Sequence, residues 1–244
     1  MRDLKSRIEC VSANDLHWSF ANPFPKVQTR PRVAGCYSNS VEVDPFPAYP
    51  HEYDTVIATA EKVETVFPVG FAPTYYVMHF EESGRTNGQF HRHWISEPGT
   101  PSPMPFDPYI VLGGKRTPIH PAQTRYLVAH EYGHVVQAWI EWRRYIKDSA
   151  VTDFEREYAA MRGVPDSATT DYGGGRWHKA IGEIIANDFR ILVAGVEPEF
   201  WPHSGFARPE DVDGLASFWA DMLDKHATDK PERPPQVTGD TKPE

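Results

Sequence analysis

The sequence predicts an α+β fold, a mixed twisted sheet followed by helices, on three observations. Strand-like runs come first in the body of the chain: ThrTyrTyrValMetHisPhe at 74–80, PheHisArgHisTrpIle at 90–95 and TyrIleValLeu at 109–112 are β-branched, aromatic or alternating, and are bounded by proline, glycine and acidic residues. Helical spacing takes over at Pro121 and dominates the rest. No self-similar stretch of about 20–50 residues recurs, which removes solenoids and propellers.

The elements are justified in chain order. Residues 1–50 are rich in proline and aromatics, a composition that lays short extended pieces over a domain, and they read as an N-terminal arm. Over 52–67, Val56, Ile57, Ala60, Val63 and Phe67 recur at three-and-four spacing, an amphipathic helix. The three strand-like runs follow and are expected to form the sheet over about 70–115, with 109–114 as the edge strand along a cleft. Pro121 suits a first helical turn, and Leu127, Val128, Val135, Ala138, Trp142 and Ile146 supply the apolar stripe of the longest helix, to about Lys147. Shorter helices are predicted near 153–162, over 177–194 with Gly195 as terminator, and over 208–226. Residues 228–244 hold one apolar side chain among prolines and charges, too little to offset the entropy of ordering them, and are expected to be a disordered tail. The folded domain is therefore 51–227.

Composition narrows the function. The 244 residues carry 34 acidic and 25 basic side chains, a net charge of −9, so the field of the chain repels polyanions, and neither nucleic acid nor an anionic membrane is expected as a partner. The seven tryptophans then read as core and cleft packing. No apolar run resembles a signal peptide or a membrane span, so the expected location is cytoplasmic, or exported without a cleavable signal. The two cysteines, Cys10 and Cys36, have no metal-binding spacing; they read as structural thiols, with one optional disulfide between them.

The chemistry is concentrated in the longest helix. His130-Glu131-Tyr132-Gly133-His134 is an HExxH string, whose chance count in a chain with 11 histidines is only about 0.04. Two histidines four apart project from one helical face, close enough for both imidazoles to reach one zinc ion. Glu131 stands beside that point, where its carboxylate can take a proton from a water whose pKa zinc lowers to about 7. This is the chemistry of peptide hydrolysis. Gly133 costs about 1 kcal/mol against alanine in a helix interior, which signals a close approach at that position.

A catalytic zinc wants a third protein ligand and an open fourth position. Glu183 is the candidate, because it is an acid in a helix whose Ile181, Ile184, Ile185, Phe189 and Leu192 are apolar. One turn on, Asn187 is placed to accept the free N–H of a ligating histidine. Three readings compete: Glu183 paired with Arg190 or Arg176 at the surface, Glu157 as the third ligand, and His91 with His93 as a separate metal pair on a strand.

HExxH followed by a helix-borne glutamate resembles the gluzincin branch of the zincin metalloproteases. The HisGluTyrGlyHis string, then TyrGly, then the Glu helix, is similar to the catalytic domains of anthrax lethal factor and the clostridial Pro-Pro endopeptidases. GluIleIleAlaAsnAspPhe at 183–189 is also similar to the corresponding helix of ImmA/IrrE-type peptidases. The resemblance covers about 105–195. It implies a zincin-like fold and one zinc per chain on His130, His134 and Glu183, with Glu131 as base and a peptide or protein as substrate. The lethal-factor family stabilises the oxyanion with a tyrosine at the place Arg176 holds here; the nearest tyrosine is Tyr172, and Tyr172, Arg176 and His178 are the candidates for that role, with the glycine-rich stretch from Asp171 to Gly175 expected to be a mobile flap over the cleft. The expectation is a zinc endopeptidase. The alternatives are a zinc-binding interaction or sensor module with little turnover, and a zinc hydrolase acting on a non-peptide amide.

Overall fold

Helix α2 (Pro121–Asp148), 28 residues long, is the element on which the others are arranged. It begins at a proline, whose fixed φ and missing N–H suit a first turn, and its apolar residues run around more than one face. One face buries Val128, Tyr132, Val135 and Trp139; another turns His130 and His134 toward a neighbouring helix. The computed structural model describes residues 8–11, 36–38, 41–43, 50–70, 73–78, 89–95, 104–112, 121–148, 154–164, 180–197, 203 and 205–227.

Besides α2, the helices are α1 (Pro50–Val66), α3 (Phe154–Arg162), α4 (Ile181–Leu192) and α5 (Leu215–His226), the last preceded by a 3-10 turn at Pro209–Asp211. The backbone strands are β1 (Ile8–Val11), β2 (Cys36–Ser38), β3 (Val41–Val43), β4 (Thr74–Met78), β5 (Gln89–Ile95) and β6 (Met104–Leu112). They pair in the order β3-β2-β1-β4-β6-β5. β4 runs parallel to β6 with Tyr75 opposite Ile110, and β5 runs antiparallel to β6 with Phe90 opposite Ile110.

Among the described side chains the core is mostly helical, joined by Tyr75, Ile110 and Leu112. Val56, Ala60, Val63 and Phe67 of α1 and its C-terminal end pack with Leu127, Val128, Tyr132 and Val136 of α2, and with Ile181, Ile184, Ile185 and Phe189 of α4. An aromatic group closes the other side: Phe154 and Tyr158 of α3, Phe218 and Trp219 of α5, and Phe189 of α4 stand with ring centroids 5.5–6.3 Å apart, mostly edge to face. Tyr132, inside the HExxH string, donates from its hydroxyl to the carbonyl of Phe67 at 2.8 Å, which pins α2 to the end of α1. Gly70 meets Trp139 so closely that a Cβ there would lie 2.1 Å from its indole ring.

These findings correct the expected fold class. The residues whose side chains are described are 74% helical, and the strand residues among them, Thr74, Tyr75, Ile110 and Leu112, are too few to make a sheet. The body is therefore not the mixed twisted sheet of an α+β zincin-like fold with two helices laid on it. The physical reason is that α1, α2, α4 and α5 each bury a full apolar stripe and pack on one another as a core of their own. The strand pairing differs from expectation as well. β6 lies between β4 and β5, so 109–112 is not an edge, and β1–β3 bring parts of the N-terminal arm into the ladder.

The helices of the sequence reading stand close to where they were expected, with two differences. α4 starts at Ile181 and not near 177, after Ala180 in extended conformation, and the segment expected to be one helix over 208–226 is a 3-10 turn and then α5 behind Gly214 at φ 79°. The remainder of 1–50 and the tail 228–244 lie outside the described residues. Among the described residues no helix is long and apolar enough to cross a membrane.

Candidate metal centre

Two helices supply the site. His130 and His134 are four apart on α2 and stand on one face, with ring centroids 5.0 Å apart and planes nearly perpendicular. Glu183, in the first turn of α4, reaches between them: its Oε2 lies 3.1 Å from His130 Nε2 and its Oε1 3.6 Å from His134 Nε2. One donor atom from each residue falls within 4.8 Å of the others, the one such group among the described residues. Ligand atoms around a four-coordinate ion bound at about 2.0–2.1 Å stand roughly 3.3 Å apart, close to the 3.1 and 3.6 Å between the carboxylate oxygens and the two imidazoles.

The helices come together at a glycine. A Cβ on Gly133 would lie 2.7 Å from the Cα and 2.8 Å from the carbonyl oxygen of Ala186, one turn beyond Glu183. The missing side chain lets the α4 backbone lie against α2 where a short glutamate must span the gap. The close approach expected from Gly133 is thus met by Ala186.

Glu183 sits in a divided field. Burial pushes its carboxyl up, but the hydrogen bonds and charge of His130 and His134 outweigh that and hold it well below the usual carboxylate range. Glu131 is 4% exposed, on α2 next to His130, and its charge is felt at Tyr126 together with that of Glu183. The base candidate and the candidate metal ligands therefore share one enclosed region.

Two residues without a role in the sequence reading, Tyr126 and His203, complete the surroundings together with Arg190. Tyr126, one turn before His130, lies parallel to its imidazole at 7° and 5.9 Å between centroids, and its hydroxyl donates to Asn187 Oδ1 at 3.2 Å. Burial, with Glu183 and Glu131 nearby, raises the Tyr126 phenol against the opposing pull of Arg190. Arg190 places its guanidinium carbon 3.9 Å from the centre of the Tyr126 ring. His203, fully buried, lies with Nε2 2.8 Å from Asn187 Nδ2, which also donates to the carbonyl of Glu183 at 2.9 Å. Helical spacing could have found Tyr126, since 126, 130 and 134 share a face; His203 lies in a stretch with no periodic pattern, and nothing in the sequence singles it out.

Other expectations change. Asn187 does not accept the free N–H of a ligating histidine: its oxygen is taken by Tyr126, and His130 Nδ1 is buried with no hydrogen-bond partner. Arg190 faces Tyr126 and not Glu183, which removes one surface pairing proposed for that glutamate. Glu157 is half exposed on α3 and paired with Arg144, so it is not a third ligand. A register shift separates His91 and His93 on β5, which breaks the strict two-residue alternation that would align them. Tyr172, Arg176, His178 and the glycines at 173–175 lie outside the described residues, as do the side chains of Cys10 and Cys36.

No family model matches the chain, and searches of curated proteins and of solved structures give no match either.

Proposed function

We propose that the chain is a zinc-dependent endopeptidase, with one Zn2+ held by His130, His134 and Glu183 and with Glu131 as general base. The observation that carries this reading is the convergence of two imidazoles and one carboxylate from two helices on a single point, with a buried carboxylate next in sequence to the first of those histidines. Neutral imidazoles with one carboxylate suit a borderline ion such as zinc and leave a fourth position open. When bound there, zinc would polarise a water and bring its pKa to about 7.

The chain's own residues do the rest. Glu131 is enclosed and lies on the metal-facing helix, where it can take a proton from the attacking water and return it to the leaving amine. A scaffold that only held a metal would have no chemical need of a base at that position. The ligand pattern is that of the gluzincin resemblance, and a peptide or protein is the proposed substrate on the same ground; Tyr172 and His178 remain the proposed oxyanion donors.

The test is elemental analysis of protein purified without chelator, joined to cleavage of a peptide library with and without chelator. Near one equivalent of zinc and chelator-sensitive cleavage are expected. Zinc without cleavage would leave a metal-binding interaction module, and no metal at all would remove the reading.

A further inference from the structure

Arg190 is fully buried, and none of its three guanidinium nitrogens has a hydrogen-bond partner. A charged group so placed is strongly unfavourable without acceptors, and a methionine or leucine would fill the same volume at less cost. Packing therefore does not account for an arginine at this position. What the guanidinium does meet is the Tyr126 ring, 3.9 Å away, well inside the range of a cation–π contact.

Tyr126 meets both ligand-bearing helices beside the centre. Its ring lies parallel to the imidazole of His130, and its hydroxyl holds Asn187, which in turn holds the carbonyl of Glu183. The nearby acid Asp188 is engaged elsewhere, by Arg162 at 2.9 Å and Tyr158 at 2.7 Å. His130 Nδ1 has no hydrogen-bond acceptor to fix the ring, so the usual means of orienting a ligating histidine is missing on that side.

We propose that Arg190, acting through Tyr126, is a positioning residue for the metal centre: the guanidinium fixes the plane of Tyr126, and Tyr126 fixes the imidazole of His130 and the seating of the Glu183 helix against it. This inference rests on the metal reading above. It assigns to stacking the work that a hydrogen bond to Nδ1 does in other histidine sites. Removing the cation should loosen the ligand set while relieving a buried charge, so metal affinity and stability should move in opposite directions.

The experiment is cobalt titration of the purified full-length chain, read by the visible absorption bands of the bound ion and by chelator competition, beside thermal melting of the metal-free protein. Arg190→Met should weaken cobalt binding about 10–100-fold, the range for loss of a partner that orients a ligand, and should melt at or above the wild-type temperature. Arg190→Lys, which keeps the charge and loses the planar fork, should fall between. Tyr126→Leu should weaken binding and alter the absorption bands, whereas Tyr126→Phe, which keeps the ring, should retain the bands. The inference is overturned if Arg190→Met and Tyr126→Leu bind cobalt with wild-type affinity and bands, or if metal-free Arg190→Met melts far below wild type, which would make the arginine merely structural. Absence of cobalt uptake by the wild type would remove the metal reading itself, an outcome distinct from uptake that the variants leave unchanged.

Discussion

Gly133 of α2 faces Ala186 of α4 across a gap that cannot take one more carbon: a Cβ at Gly133 would stand 2.7 Å from the Cα of Ala186. The obstacle is backbone, so no side-chain rotation relieves it. Gly133→Ala gains about 1 kcal/mol of helix propensity, but over-packing in a filled interface costs about 1–3 kcal/mol and forces the helices apart. We expect a net loss of thermal stability together with weaker metal binding, because Glu183 sits one turn from the contact. Melting curves and zinc content of the variant check this, and a more stable variant with full zinc would contradict it.

The third ligand separates two glutamates by geometry. Glu183 lies between both imidazoles, whereas Glu157 is paired with Arg144 on another helix face. Glu183→Ala should lose most of the bound zinc, and Glu157→Ala should keep it. The exposed Glu157 pair should also contribute little stability, about 0–1 kcal/mol. Zinc retained in Glu183→Ala and lost in Glu157→Ala would reverse the assignment.

The residues of the candidate site are legible in the sequence because they obey a local rule. His130, Glu131 and His134 follow from four-residue spacing on one helix, and Glu183 from an acid inserted among isoleucines. The fold class is not. The runs at 74–80 and 109–112 have strand composition, and strands form there, but composition does not reveal how much of the core an element supplies. The stripes of α1, α2, α4 and α5 pack on one another in the described core, a mutual packing that the periodicity of each helix alone does not state. Long-range partners are hidden for a related reason: helical spacing places Asn187 one turn from Glu183, but that its oxygen meets Tyr126 and not a histidine depends on packing that no local pattern records.

Glu131→Gln isolates the base. The amide keeps the shape of a side chain that is 4% exposed and leaves His130, His134 and Glu183 unchanged, but it cannot accept the proton. Zinc content should remain near one equivalent while hydrolysis falls about 10²–10⁴-fold. Turnover at the wild-type rate would remove Glu131 from the mechanism, and loss of zinc would show instead that it helps to hold the ion.

Asp188 gives the fold a pH dependence of its own. Its carboxylate is fully buried on α4, where it accepts from the Tyr158 hydroxyl at 2.7 Å and pairs with Arg162 at 2.9 Å. Burial nevertheless lifts the carboxyl to about 7, against the pull of Arg162 and Tyr158. An unfolded aspartate titrates near 3.9, so between about pH 4 and pH 7 the native chain holds a proton that the unfolded chain has released. The contribution of this group to stability is therefore fully present below about pH 4, falls as pH rises, and is lost above about pH 7. Asp188→Asn cannot titrate; it leaves Arg162 without its carboxylate at every pH, which displaces its stability curve by a constant amount without this slope. The melting temperature of the wild type, measured on metal-free protein, should accordingly fall relative to that of Asp188→Asn from pH 5 to pH 8. A difference that stays constant over this range would mean that Arg162 keeps Asp188 ionised throughout.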